Sequence, residues 1–123
     1  MQPLQIGLVS LARTTFDIPL AEQVNQTVRG QFDQNGLTTL GPAELITDAS
    51  GVQDAIEALQ HSDLDLLVIL QATFADATMV VSLAENLAAP LFLWAVPEAP
   101  TGGRLRLNSF CGINLAGHSL SLR

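Results

Sequence analysis

The sequence predicts an α/β fold: a Rossmann-like (flavodoxin-like) open parallel sheet of about four strands, order 2-1-3-4, with helices on both faces. Two predominantly apolar runs, Leu64–Leu70 and Leu91–Val96, are typical of strands buried on both faces of a parallel sheet. Apolar runs alternate with longer helical segments, which is the order of right-handed βαβ crossovers. The chain is 48% hydrophobic and 14% charged, a composition that suits a sheet covered on both faces.

The first half begins with a predicted strand at Leu4–Ser10. Asp17 and Pro19 are typical of a helix start, because the aspartate can cap the first turn and proline fits there. This helix is predicted to run to about Asn35 and to stop at Gly36. Its inward apolar residues recur every four positions, at Leu20, Val24, Val28 and Phe32.

The next segments are a short strand at Leu37–Leu40 and then Leu45–Thr47, which is either a turn of helix or an extended piece. Ser50 and Gln53 match a capping box and therefore predict the start of a second helix. The remaining elements are predicted to be a strand at Leu64–Leu70, a helix at Ala75–Leu87, a strand at Leu91–Val96 and a helix at Asn108–Leu120.

Composition excludes several classes of function. The formal charge is −7 and none of the basic residues is lysine, so the chain is a poor candidate for binding nucleic acid or an anionic membrane. No apolar run reaches the roughly 18 residues of a membrane span, and the first residues lack the features of a signal peptide. With the single cysteine Cys111, taken to be a small buried residue, no internal disulfide is possible. We therefore expect a cytoplasmic protein, with residues 1–123 forming one domain.

Polar residues concentrate after the predicted strands, where open parallel sheets bind ligands. They are Arg13, Gln71, Thr73, Glu98, Arg104, Arg106 and Asn108. Structural alternatives stay open for each group. Gln71, Thr73 and Asp76 are also suited to capping the third helix, and Phe16 and Phe74 to closing the core. Arg104 and Arg106 fit the solvated face of an edge strand, and Glu98 fits a surface ion pair with an arginine.

The sequence carries no catalytic signature of its own. It has no glycine-rich phosphate loop and no nucleophile elbow of the GxSxG type. His61 and His118 lie far apart in sequence, without a carboxylate-rich motif between them that would predict a metal site.

Three blocks of sequence resemble the N-terminal part of the L-fucose/L-arabinose isomerase-like proteins. They read SLARTTFDIPLAE, then DLDLLVILQATFADATM, then APLFLWAVPEAPTGGRLRLNSFCGINLAGH. The resemblance covers about Ile6 to His118. Its most specific part is QATFADATM, followed about 20 residues later by WAVPE and TGGRLRLNS.

The resemblance implies an N-terminal domain of a longer chain that interconverts aldoses and ketoses with a divalent metal, usually manganese. The metal ligands of the family lie in later domains, so no catalytic residue, metal ligand or cofactor is assigned here, and the domain alone is expected to be inactive. The implied partners are the remaining domains, other subunits of a homo-oligomer and a sugar.

Within that family the N-terminal domain can help to close the active site of a neighbouring subunit. The expected substrate-binding residues are Arg13, Thr15, Phe16, Gln71, Thr73 and Phe74. The expected interface or junction residues are Glu98, Arg104, Arg106 and Asn108. Two alternatives remain: a stand-alone module that binds a sugar or a carboxylate, and a structural oligomerisation domain.

Overall fold

The computed structural model describes residues 3–122, in which five strands form one open parallel sheet. The strands are β1 (Ile6–Leu11), β2 (Thr39–Leu40), β3 (Leu45–Ile46), β4 (Leu66–Gln71) and β5 (Leu91–Ala95). Their order is β2-β1-β4-β5, with β3 paired to β1 beyond the end of β2. The predicted order 2-1-3-4 is confirmed, with β4 and β5 as the predicted third and fourth strands. The short strand β3 adds a second pairing to β1, on the same side as β2.

The helices lie on both faces of the sheet, as predicted. They are α1 (Ile18–Gln34), α2 (Ala49–Leu59), α3 (Ala77–Asn86) and α4 (Ser109–Ser121). On one face, Val28 of α1 packs in a cluster with Leu70 of β4. On the other face, Ile69 of β4 lies in the main core with residues from α2, α3 and α4. Adjacent residues of a strand point to opposite faces, so β4 needs the continuous apolar run that the sequence shows.

Aspartates begin the first three helices and place those helix starts at the carboxyl ends of strands. Asp17 accepts the N–H of Leu20 at 3.1 Å, and Asp76 accepts the N–H of Thr78 at 3.1 Å. Asp48 accepts the N–H of Gly51 at 2.8 Å.

The predicted capping box is wrong, because Ser50 lies inside α2 and Asp48 already caps that helix. The segment that starts at Leu45 is extended, which decides between the two alternatives for Leu45–Thr47.

A buried polar network fastens α1 to the edge of the sheet. The Ser10 hydroxyl donates to Asn25 Oδ1 at 2.6 Å, and Asn25 Nδ2 donates to the carbonyl of Ala43 at 2.8 Å. Arg29 donates to the same Asn25 oxygen at 2.9 Å and to the carbonyl of Pro42 at 2.8 Å. Desolvation lowers the pKa of Arg29. The network holds the turn between β2 and β3 against α1.

Across residues 3–122, no helix combines the length and the apolar character that crossing a membrane requires.

Candidate functional site

A cleft of about 570 Å³ opens at the carboxyl edge of the sheet, between the ends of β1 and β4 and the starts of α2 and α3. Open parallel sheets bind ligands at this edge. The polar residues of its lining are Arg13, Thr14, Thr47, Asp48, Asp76 and Thr78, and the apolar residues are Phe74, Met79, Leu115, Ala12 and Ala49.

Arg13 gives the cleft lining a cationic side chain that is free to bind a ligand. Its backbone N–H donates to Thr73 Oγ1 at 2.8 Å, which fixes the position of the residue at the end of β1. Its side chain is exposed, and the guanidinium has no hydrogen-bond or ion-pair partner within residues 3–122. A guanidinium in this state can donate two parallel hydrogen bonds to an anion or to hydroxyl groups.

Thr73 is fully buried, and its hydroxyl connects two segments next to the cleft. Its hydroxyl accepts the N–H of Arg13 and donates to the carbonyl of Phe74 at 2.7 Å. The side chain therefore joins the ends of β1 and β4, and Thr73 is not part of the cleft lining that residues 3–122 form. Its buried hydroxyl has partners in both directions, as buried polar groups require.

Two phenylalanines form an aromatic pair beside Arg13. The ring centroids of Phe16 and Phe74 lie 6.2 Å apart at an interplanar angle of 41°. Both residues are half-buried, and in the described part of the chain Phe74 lines the cleft whereas Phe16 contacts it only through this ring pair with Phe74. Thr15 is exposed and lies outside the cleft lining that the described residues form.

Gln71 does not reach the cleft surface. Its side chain has zero exposure, and neither Oε1 nor Nε2 has a hydrogen-bond partner in the part of the chain that the structure describes. It lies against the first turns of α4, where a Cβ added to Gly112 would come within 2.9 Å of Gln71 Oε1. Neither Gln71 nor Thr73 caps α3, a role that Asp76 fills alone.

The loop after β5 folds back onto the carboxyl edge around Glu98. The Glu98 carboxylate accepts backbone N–H groups of Arg106 at 2.6 Å, Leu107 at 3.0 Å and Asn108 at 2.8 Å. Leu107 is 1% exposed, and its carbonyl accepts the N–H of Phe74 at 2.7 Å. Glu98 therefore binds backbone N–H groups of this loop. The alternative of a surface ion pair between Glu98 and an arginine is wrong.

Arg106 pairs with Asp17 instead. Its Nε lies 2.8 Å and its Nη2 2.7 Å from Asp17 Oδ2. The N–H of Leu20 and the guanidinium of Arg106 hold the pKa of the Asp17 carboxyl below its ordinary value. The edge-strand alternative is wrong, because residues 104 and 106 lie in a loop outside the sheet.

The four predicted interface residues thus differ in their surroundings. Glu98 and Arg106 bond within the domain, and Asn108 adopts the left-handed conformation (φ 54°) just before α4. The exposed Arg104 guanidinium has no hydrogen-bond or ion-pair partner among residues 3–122 and remains accessible.

Sequence reasoning missed Asp48, Thr78 and Leu115 as cleft residues. Asp48 follows Leu45–Thr47, which the sequence alone does not identify as a strand. The sequence therefore does not predict that Asp48 lies at the carboxyl edge of the sheet. The expectation of a buried Cys111 is wrong, because the cysteine is exposed on α4.

The carboxylates of the cleft do not amount to a metal centre. Asp48 and Asp76 each already accept the N–H of a helix. Over the described residues, no group of three or more His, Cys, Asp or Glu side chains could hold a metal ion. The groups found here therefore do not fit the divalent metal that the resemblance implies for longer relatives.

Comparison with known proteins agrees with the resemblance noted in the sequence. Residues 7–123 match the family model described as "Fucose/sulfoquinovose isomerase, N-terminal domain". Sulfoquinovose isomerases from Priestia aryabhattai and Priestia megaterium (strain ATCC 12872 / QMB1551) are each 32% identical to the chain over 120 residues. One from Alkalicoccus urumqiensis is 30% identical over 117 residues. No solved structure matches the chain.

The alignments cover 98% or 95% of this chain but only 27% or 26% of the relatives. The chain therefore spans about a quarter of the length of the curated relatives it matches. The predicted resemblance to fucose isomerases is confirmed. The predicted resemblance to arabinose isomerases stays a prediction. Because the family model matches nearly the whole chain, the chain belongs to the fucose/sulfoquinovose isomerase family and corresponds to the N-terminal domain of that family.

Proposed function

We propose that the carboxyl-edge cleft of this domain binds a sugar and helps to complete the substrate site of a longer, oligomeric aldose–ketose isomerase. The observation that carries the proposal is the free guanidinium of Arg13, a cleft-lining residue whose backbone is held at the end of β1 by its hydrogen bond to Thr73. Thr14, Thr78 and Phe74 line the same cleft, and their hydroxyls and ring suit the mixed polar and apolar surface of a sugar.

The relatives' name supplies the substrate class for this proposal. Sulfoquinovose is a sulfonated sugar, and a guanidinium matches the geometry of an oxyanion with two parallel hydrogen bonds. Arg13 would then hold the sulfonate, or a sugar hydroxyl in the case of fucose. Phe74 would cover an apolar face of the ring, and Thr73 would act only through the position of Arg13.

The chemistry of isomerisation requires groups outside this chain. We propose that the divalent metal, usually manganese in the resembling family, is held by the remaining domains and supplies Lewis-acid polarisation of the substrate. The role of this domain is to orient the sugar and to exclude water from it. The domain is then inactive alone, and it works in a cytoplasmic homo-oligomer in which the cleft faces a neighbouring subunit.

The test uses the 123-residue chain itself. Sulfoquinovose and L-fucose are titrated separately into isotope-labelled protein, and amide signals are followed by NMR. The proposal expects shifts at Arg13, Thr14, Phe74 and Thr78, and no turnover of either sugar with added manganese. Turnover by the isolated chain would contradict the assignment of the chemistry to other domains. Shifts confined to residues 97–106 would contradict the assignment of the cleft.

The stand-alone binding module is a second candidate, because the cleft and the free Arg13 side chain both lie within this one domain. The two functions differ in affinity. A domain that only completes a shared site is expected to bind the free sugar weakly, with a Kd of about 1 mM or more. A Kd in the low micromolar range for the isolated chain would favour the module.

A further inference from the structure

The buried amide of Gln71 is the polar group that the fold and the cleft leave unexplained. Both polar atoms of this side chain are inaccessible and lack a partner within residues 3–122. Buried polar groups are nearly always hydrogen-bonded, since an unpaired one costs folding free energy. A leucine or methionine would fill the same space without that cost, so the amide calls for a ligand.

The Gln71 amide and the cleft-lining residue Phe74 share a neighbour, Gly112. Gly112 meets both Gln71 and Phe74, because a Cβ at position 112 would lie 2.9 Å from Gln71 Oε1 and 3.1 Å from Phe74 Cα. Phe74 lines the cleft, and so does Leu115, one turn further along α4. Separation of Phe74 from the first turns of α4 would therefore connect Gln71 with the cleft.

This part of α4 is held by small side chains. The residues that α4 buries are Ser109, Gly112 and Ala116, whereas α2 buries larger residues, Val52, Ile56 and Leu59 among them. Among the described helices, α4 is also the one that starts without a side-chain cap, since Asn108 makes no such hydrogen bond. The start of α4 is attached at two points. The Ser109 hydroxyl donates to the carbonyl of Gln71 and accepts the N–H of Val96, and just before the helix the carbonyl of Leu107 accepts the N–H of Phe74 at 2.7 Å.

We propose that Gln71 is a second sugar-binding residue of the cleft, covered by the first turns of α4 in the free chain and uncovered when a sugar enters. The inference rests on the proposed function. An amide offers a donor and an acceptor, which suits two neighbouring hydroxyls of a sugar. The unpaired amide raises the free energy of the covered state, and a sugar that bonds to it shifts the population toward the open state.

The experiment compares wild type with Gln71→Met and with a matched control, Gln26→Met, which alters an exposed glutamine on α1. L-Fucose and sulfoquinovose are titrated and followed by NMR. In the wild type we expect shifts of the Gln71 side-chain NH₂ signals and of the amides of residues 110–112. Gln71→Met is expected to weaken binding about three- to tenfold, the range of one or two hydrogen bonds, while its thermal midpoint without sugar stays equal or rises. The control is expected to behave as wild type.

The outcomes separate this inference from the proposed function. Shifts at Arg13 and Phe74, together with unchanged affinity in Gln71→Met, would overturn the role of Gln71 and leave the cleft in place. No shift in the wild type with either sugar would overturn the cleft itself.

Gly112→Ala tests the opening independently. The added Cβ is expected to push α4 away from Gln71, to speed hydrogen exchange at residues 110–112 and to leave sugar affinity at least at the wild-type value. A tenfold loss of affinity in a folded Gly112→Ala protein would contradict the opening.

Discussion

Arg106 and Asp17, which lie 89 positions apart in sequence, are joined both by their side chains and by their backbones. The guanidinium bonds to Asp17 Oδ2, and the N–H of Asp17 donates to the carbonyl of Arg106 at 3.0 Å. The same carboxyl group accepts the N–H of Leu20 and so begins α1. One aspartate therefore connects the loop after β5 to the helix after β1.

Substitution of Asp17 should lower stability in two steps. Asp17→Asn keeps an oxygen that can cap α1 but loses the ion pair with Arg106, so we expect a small decrease in the thermal midpoint. Asp17→Ala removes both interactions and should decrease it further. Asp33→Ala, at an exposed position late in α1, is the matched control and should have little effect. Equal midpoints for Asp17→Asn and Asp17→Ala would show that the cap contributes nothing.

The contribution of Asp17 should depend on pH. Its pKa in the folded chain is lower than the ordinary value of 3.8, first because of the Leu20 N–H and then because of Arg106. As pH falls, the unfolded chain takes up this proton before the folded chain does, so unfolding becomes more favourable. The stabilisation is therefore fully present above about pH 4 and is lost as pH falls through the folded pKa. The difference in thermal midpoint between wild type and Asp17→Asn should shrink in that range; a difference that stays constant would contradict the linkage.

The buried network at Asn25 should be among the stabilising features most sensitive to mutation. Asn25→Leu would remove the present partner of the Ser10 hydroxyl and of the Ala43 carbonyl, and one of the two partners of Arg29, which would keep its bond to the Pro42 carbonyl. We expect a loss of about 2–3 kcal/mol in the free energy of unfolding, measured with urea. Gln26→Leu, at the neighbouring exposed position, should change it by about 0.5 kcal/mol or less. A loss for Asn25→Leu as small as that of the control would mean that water replaces the network.

Glu98 should govern the local order of the loop that precedes α4. Glu98→Gln keeps the size of the side chain but replaces one acceptor oxygen with a donor, which cannot accept the N–H groups that the carboxylate now holds. Hydrogen exchange at Arg106, Leu107 and Asn108 should become faster, with little change in the sheet. Glu57→Gln on the exposed face of α2 is the control, and equal exchange in the two variants would contradict this role.

Much of the fold could be predicted because its signals are local. The apolar blocks at residues 66–70 and 91–95 are long enough to identify buried strands, and the intervening helices fix the order of the sheet. The start of α2 was misplaced because Asp48 and Ser50 are both good N-cap residues, two positions apart. Sequence pattern alone does not decide which of them accepts the N–H.

The candidate site was only partly predictable because its arrangement depends on distant parts of the chain. The position of Arg13 follows from strand order alone, and it lines the cleft as expected for that edge. The burial of Gln71 depends on where α4 lies, and the pairing of Arg106 with Asp17 depends on how a long loop folds back. Neither relationship leaves a periodic signal in the sequence.

The central claim is that Arg13 makes this edge of the sheet a sugar-binding cleft, and the most direct test is the affinity of single-site variants for sulfoquinovose. Arg104→Ala is the matched control, because Arg104 is also an exposed arginine but lies in the loop after β5. The account predicts that Arg13→Ala weakens binding by about tenfold or more, as expected for loss of a charge-assisted hydrogen bond, and that Arg104→Ala binds as wild type does. Wild-type affinity in a folded Arg13→Ala protein, or a larger loss in Arg104→Ala, would contradict it.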